Sequence, residues 1–90
     1  MTDVNITALK FDIDFYTVDV SQYVGGYPYN SLTFINYGSA AIQIDSIILQ
    51  PNQQFEIIGN VGEVTSQRFF VNLLGATGNV VIVRKRYLNL

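Results

Sequence analysis

The sequence predicts an all-β fold: a single antiparallel β-sandwich, immunoglobulin-like or jelly-roll-like, with six to eight short strands. Two observations lead to this prediction. Apolar residues recur with a period of two along most of the chain, and turns rich in Gly, Pro and Asn separate these segments at near-regular intervals. No helical period of 3.6 residues extends over a useful length. The 90 residues, without linker or repeat, predict one domain over residues 1–90.

The first predicted strand begins at Leu9 and ends at Phe15, with apolar odd-numbered residues alternating with charged even-numbered ones. We expect the apolar side chains to face the core and the charged ones to face solvent. The apolar pattern moves to even positions at Val18 and Val20. A shift of one residue exchanges the two faces of a strand, so a bulge or bend is predicted near Tyr16–Thr17.

The middle of the chain alternates predicted loops with short strands. The Gly/Pro-containing segment Ser21–Asn30 is a predicted loop. Asn36–Ser39 is a predicted turn, because Asn and Gly tolerate a positive φ. The strands predicted around these turns are Leu32–Ile35, Ala41–Asp45 and Gln54–Ile58, with a Pro-containing turn at Gln50–Gln53.

Three consecutive apolar residues, Ile47, Ile48 and Leu49, cannot all lie on one face of a strand. One alternative is a bend at Ser46 that carries the strand from one sheet to the other. The other is a neighbouring subunit that covers the outer face, and this is the alternative we expect. Ile48 is therefore a candidate partner contact.

The C-terminal part predicts two more strands, Gln67–Leu74 and Val80–Tyr87, joined by a Gly-rich turn at Gly75–Asn79. The first half of the last strand, Val80–Val83, is apolar on both faces. This pattern predicts a strand in the centre of a sheet or against a neighbour.

The composition argues against most enzyme classes and indicates contact with other proteins. The chain has no Cys and no His, so it lacks the commonest metal ligands and general base. Charged residues make up 13% of the chain, about half the usual share, and the net charge is −2. A polar but nearly neutral surface suits a protein that packs against others, since it provides little repulsion between copies. A neutral monomer is the alternative.

Two groups of residues could suggest a chemical site. Asp12 and Asp14 share one face of a strand, and paired carboxylates can bind Ca²⁺ or transfer protons. No loop supplies the further oxygen ligands, so we interpret them as a solvated strand face. Gly25–Gly26 lacks the Lys and the helix that a phosphate-binding loop needs. We therefore expect no enzyme activity, no metal and no cofactor.

Three tyrosines, Tyr23, Tyr27 and Tyr29, lie close together in the predicted Gly/Pro loop. Tyr combines a large apolar area with a polar tip and is common in contact surfaces. These side chains could close one end of the sandwich core, contact a protein partner, or stack on a sugar. All three are candidate partner contacts.

The basic residues are concentrated at Arg84, Lys85 and Arg86, whereas most acids lie in the N-terminal half. The asymmetry fits head-to-tail contacts between copies, with these three residues as candidate contacts, although a solvated strand end gives the same pattern. With a pI of about 4.6, we expect no nucleic-acid partner. No segment resembles a secretory signal or a membrane span.

Residues 32–57, LTFINYGSAAIQIDSIILQPNQQFEI, show a recurring β-sandwich pattern. A strand leads to an Asn-x-Gly-Ser turn, an alternating strand, a Pro-containing turn and Phe-x-Ile. The segment resembles small β-rich structural proteins of bacteriophages, especially those of Bacteroidota-type hosts. The final strand, which follows Gly78-Asn79, shows the same resemblance. It is also similar to immunoglobulin-like domains of the ASPM/SPD-2/Hydin type, which occur in tandem as scaffolds.

The phage resemblance implies a structural role in the virion, as a capsid decoration, vertex, spike-base or minor capsid protein. The partners expected from it are further copies of the chain and other virion proteins. We favour it over the tandem module because we interpret the chain as free-standing, short of charge and without a secretion signal. The pattern is structural and transfers no functional residue. A module that binds glycan or a host surface through the Tyr-rich loop is the alternative.

Overall fold

The computed structural model describes residues 9–75 and 80–88, and over these residues the fold is all-β. Eight strands form two antiparallel four-stranded sheets, which confirms the predicted antiparallel β-sandwich. The strands are β1 Phe11–Val18, β2 Gln22–Val24, β3 Ser31–Asn36, β4 Ile42–Ile44, β5 Ile47–Leu49, β6 Gln54–Ile58, β7 Phe69–Asn72 and β8 Val80–Tyr87.

The first sheet has the strand order β1-β8-β3-β6, and the second has the order β2-β7-β4-β5. The last strand, β8, lies between β1 and β3, as its apolar character on both faces predicts. β1 forms one edge of the first sheet. All eight of its residues pair with β8 in one register, from Phe11 opposite Tyr87 to Val18 opposite Val80.

The core lies between the two sheets and consists of one alternate set of residues from each strand. The first sheet contributes even-numbered residues of β1, β3 and β8, and the second contributes residues such as Ile42, Ile44 and Val71. Phe34 is fully buried and stacks on Phe55 at 6.1 Å between ring centroids. Apolar burial of this kind is the main force holding the sheets together.

The prediction for β1 is wrong on two points. No bulge interrupts the strand, because the register with β8 is regular from Phe11 to Val18. The apolar odd-numbered residues also lie on the outer face of the sheet and not in the core. Val18, which is fully buried, fixes the even-numbered residues on the inner face, and strand alternation places Ile13 and Phe15 outside.

The segment 42–49 is neither one strand nor a crossing between sheets. β4 and β5 form a hairpin within the second sheet, joined by the two residues Asp45 and Ser46. Asp45 adopts a positive φ of 50°, which suits a tight two-residue turn. The hairpin places Leu49 in the core and Ile48 on the outer face.

The predicted loop Ser21–Asn30 contains the short strand β2, which pairs with β7. After β2 the backbone passes very close to the segment before β7. A Cβ atom on Gly25 would lie 2.4 Å from the carbonyl oxygen of Gln67, and the φ of Gly25 is +103°. This position therefore requires glycine.

The turn after β3 depends on the Asn36 side chain and not on a positive φ at Asn36 or Gly38. Asn36 is fully buried, and its Oδ1 accepts a hydrogen bond from the Gly38 N–H at 2.9 Å. Its Nδ2 donates to the carbonyl oxygens of Ala40 and Leu49 at 2.9 and 3.0 Å. The turn is thus an Asx-type turn anchored in the core.

The Pro-containing turn at Gln50–Gln53 forms as predicted, with Asn52 at a φ of 67° and a hydrogen bond from Gln53 N–H to the Gln50 carbonyl oxygen. The Gly-rich turn predicted at Gly75–Asn79 lies outside the described residues from position 76 onward.

Candidate functional site

The outer face of the first sheet is apolar and exposed along its β1–β8 side. Phe11, Ile13 and Phe15 are 52%, 48% and 71% exposed. Val81 and Val83 of β8 lie on the same face and are partly buried. We call these five residues the apolar outer face. Among residues 9–75 and 80–88, no strand packs on it, since the second sheet covers the opposite side.

The inner face of the same two strands changes from apolar to charged along its length. Val18, Val80 and Ile82 are fully buried, and beyond them Asp14 and Asp12 lie opposite Arg84 and Arg86. The charged pair nearest the core, Arg84 and Asp14, is still partly buried, and Arg86 and Asp12 beyond it are exposed.

The acidic and basic residues of this inner face form ion pairs within one chain. Arg84 Nη2 lies 2.8 Å from Asp14 Oδ2, and Arg86 Nε lies 3.2 Å from the same oxygen. Arg86 Nη2 is 3.9 Å from Asp12 Oδ2. The hydrogen bonds from Arg84 lower the pKa of Asp14; partial burial opposes this shift, and the charge of Arg86 adds to it.

These pairs change the interpretation of two sets of predicted residues. Asp12 and Asp14 are not a purely solvated face, because arginines neutralise them. The attraction expected between an acidic end of one copy and the basic end of the next is formed instead inside the chain, by Arg84 and Arg86.

The third basic residue, Lys85, lies on the outer face. Its Nζ is 4.6 Å from the centroid of the Phe11 ring and 5.7 Å from that of Tyr87. Strand alternation thus divides the three candidate residues, with Lys85 beside the apolar outer face and both arginines on the other side.

The three tyrosines do not form one surface. Tyr29 is fully buried, and its hydroxyl donates a hydrogen bond to the Gln67 carbonyl oxygen at 2.7 Å. Burial raises the pKa of Tyr29. In the folded chain Tyr29 is thus a core residue and is not accessible to a partner. Tyr23 and Tyr27 are 61% and 71% exposed.

Tyr23 contacts two residues that the sequence did not single out. Its ring meets that of Phe70 edge-on at 4.9 Å between centroids, and the Arg68 guanidinium lies 5.0 Å from its centroid. Arg68 and Phe70 share one face of the β7 segment, so alternation within Gln67–Leu74 was the signal that could have identified them.

Ile48 is half exposed on the outer face of the second sheet, opposite Gln43 of β4. As we expected, the Ile48 side chain is not buried by its own chain. A neighbour that covers it stays a prediction.

A shallow cleft of about 200 Å³ lies beside the end of β6. Its polar groups are already engaged: Asn30 Nδ2 donates to the carbonyl oxygens of Asn60 and Glu63, both at 2.8 Å. The Glu63 carboxylate accepts a hydrogen bond from Asn60 N–H. The cleft is smaller than the roughly 300–1,000 Å³ typical of small-molecule sites.

Within the described ranges, no three acidic, His or Cys side chains are grouped as a metal site would require. The same part of the chain has no helix long and apolar enough to span a membrane. No known protein family, curated protein or solved structure matches this chain.

Proposed function

We propose that this chain is a non-enzymatic structural component of a bacteriophage virion. It would serve as a capsid decoration, vertex, spike-base or minor capsid protein that forms homo-oligomers and docks on other virion proteins. The observation that supports the proposal most is the exposure of Phe11, Ile13 and Phe15 on one continuous face. A contiguous apolar patch on a small domain is typical of a protein interaction site.

The area involved is large enough to matter energetically. Phe11 and Phe15 together expose roughly 200–300 Å² of aromatic surface, if a whole aromatic side chain has about 150–250 Å². At about 25 cal/mol per Å², covering this surface favours association by roughly 5–8 kcal/mol per copy, before the entropy cost of association is subtracted. Repetition around a symmetric particle multiplies the effect.

The charge distribution supports the same function. The chain has a net charge of −2, and four of its charged side chains, Asp12, Asp14, Arg84 and Arg86, pair with one another on the inner face. Copies of the protein therefore repel one another weakly, which favours dense packing. The resemblance of residues 32–57 to phage structural proteins supports a phage virion as the particle.

The test is to identify the genes on either side of this one and to assemble particles from their products. We expect the chain to co-sediment with those particles, and Phe11→Ser/Phe15→Ser to reduce its occupancy strongly. The matched control is Ile58→Ser, which removes an exposed apolar residue on the opposite edge strand, β6. Neighbouring genes without particle proteins, or a chain that does not bind the particles, would contradict the proposal.

A second candidate function is recognition of glycan or a host surface, and the exposure of Tyr23 and Tyr27 favours it. Aromatic rings on a rigid sandwich can stack on sugar rings. A glycan array with the Tyr23→Ala/Tyr27→Ala variant tests it, with Tyr37→Ala as the exposed control. No binding by the wild-type chain, or binding that survives the double change, would rule it out.

A further inference from the structure

We propose that the outer edge of β1 pairs with β1 of a second copy of this chain, in an antiparallel two-fold dimer centred on Asp12. The inference rests on the proposed function, because it names the surface and the register through which copies associate.

β1 is available for such pairing because it is the edge strand of its sheet. Only β8 pairs with it among the described residues, so the other side of β1 presents backbone N–H and C=O groups without a strand partner. The ladder with β8 extends to Lys10, whose carbonyl oxygen accepts a hydrogen bond from Leu88 N–H at 2.8 Å. The edge is therefore long and regular.

β1 has little of the usual protection of an edge strand. Natural edges are blunted by Lys, Pro or a bulge. Phe11–Val18 contains neither Lys nor Pro, and its pairing with β8 shows no bulge. The Lys of this edge, Lys10, lies just before β1, where the proposed register gives it an acidic partner. The two carboxylates of the strand, Asp12 and Asp14, are held by arginines of β8 and so oppose a second strand less than free charges would.

The apolar residues of the segment LKFDIDF, residues 9–15, match under a two-fold rotation about Asp12. In this register Leu9 lies opposite Phe15 of the second copy, and Phe11 lies opposite Ile13. All four are exposed in the single chain; Phe11, Ile13 and Phe15 lie on the outer face of β1, and Leu9 lies two residues before the strand. Cross-strand aromatic–aliphatic pairs of this kind stabilise a sheet.

Charge complementarity selects this register. It places Lys10 opposite Asp14 of the second copy, and symmetry forms the pair twice. The one like-charged pair is Asp12 with its own symmetry mate, and Arg86 of each copy lies 3.9 Å from it. A register centred on Ile13 would instead place Asp12 opposite Asp14 twice.

A second copy is the partner that this symmetry favours over an unrelated strand, because residues 9–15 supply both members of every cross-strand pair. The dimer would join two four-stranded sheets into one sheet of eight. It would also place the two apolar outer faces side by side, on one surface for docking to the particle.

Disulfide cross-linking tests the dimer, because the chain has no native Cys. Opposed residues of antiparallel strands have Cα atoms about 4.5–5.5 Å apart, within the range that a disulfide spans. We expect purified Asp12→Cys to form covalent dimers under mild oxidation. Thr33→Cys, in the middle of the same sheet, should stay monomeric under the same conditions. Dimers of Ile13→Cys in place of Asp12→Cys would overturn the register.

Charge reversal at Lys10 tests its contact with Asp14 of the second copy and leaves the residue on the two-fold axis unchanged. Lys10→Glu places a carboxylate opposite Asp14 of the second copy, so we expect the dimer Kd to rise by about tenfold or more in low salt. Lys10→Gln should produce a smaller rise. An unchanged Kd in Lys10→Glu would overturn the proposed contact.

The outcomes separate this inference from the proposed function. Self-association of the wild-type chain without cross-linking of Asp12→Cys would overturn edge pairing and leave the structural role intact. A cross-linked dimer that binds no particle would support edge pairing and overturn the role in the virion.

Discussion

Arg84 donates two hydrogen bonds to a single oxygen of Asp14, from Nε at 3.2 Å and from Nη2 at 2.8 Å. The two residues are 70 positions apart in the chain and lie opposite each other in the β1–β8 ladder. The contact joins the edge strand to the centre of its sheet at the border of the apolar core, where Arg84 pairs on its other side with the buried Leu32. It therefore holds in place the part of β1 that presents Phe11, Ile13 and Phe15.

Asp14→Asn should make the free energy of unfolding depend less on pH in the acid range. The folded-state pKa of Asp14 is lowered, so the carboxylate stabilises the fold fully above its unfolded pKa of about 3.9, and this contribution is lost as pH falls through the folded value. We expect the wild-type chain to be more stable than the variant near neutral pH, and the difference to shrink at low pH. Urea unfolding at several pH values measures both quantities. An equal difference at every pH would contradict this prediction.

Tyr29→Phe should lower the free energy of unfolding by about 1–2 kcal/mol, because the Gln67 carbonyl oxygen loses its hydrogen-bond donor. Tyr27→Phe is the matched control, since Tyr27 is exposed, and it should change stability by less than about 0.5 kcal/mol. Chemical denaturation of the two variants in parallel checks the comparison. Equal effects would mean that the buried hydroxyl contributes little.

Asn36→Ala should cost about 3 kcal/mol, since it leaves the carbonyl oxygens of Ala40 and Leu49 and the N–H group of Gly38 without their partner. Asn60→Ala, at an exposed position, should cost less than about 0.5 kcal/mol. The denaturation midpoint reports the difference. A loss at Asn36 as small as that at Asn60 would show that the turn does not depend on its side chain.

Gly25→Ala should destabilise the chain more than Gly26→Ala. Both glycines have a positive φ, which costs an L-residue about 1–2 kcal/mol. At Gly25 the new Cβ would also lie 2.4 Å from a backbone oxygen of Gln67, whereas at Gly26 it would only touch the Arg68 side chain at 3.4 Å. Thermal unfolding of both variants tests the order, and the reverse order would contradict it.

The sequence was sufficient for the fold class and for the position of the last strand. Val80–Tyr87 could be predicted because it is apolar on both faces at its start and charged at its end. The faces of β1 were assigned wrongly, since alternation shows that a strand has two different faces but not which one meets the core. Within β1, only Val18, at the end of the strand, is fully buried in the core.

The candidate contacts show the same limit of sequence reasoning. Tyr23, Tyr27 and Tyr29 are close in sequence, but the short strand β2 and the bridge between Tyr29 and Thr65 separate their side chains. The pairing of Arg84 with Asp14 depends on which strands are neighbours in the sheet, and topology of this kind is not encoded in local alternation.

The most direct test of the central claim, that the apolar outer face is an interaction surface, is the mass of the protein in solution. Light scattering from micromolar to millimolar concentration should show wild-type mass rising above that of one chain. Phe11→Ser/Phe15→Ser should remain at the mass of one chain, and the control Ile58→Ser should behave as wild type. A wild-type chain that stays monomeric throughout, or a double variant that associates equally well, would contradict the claim.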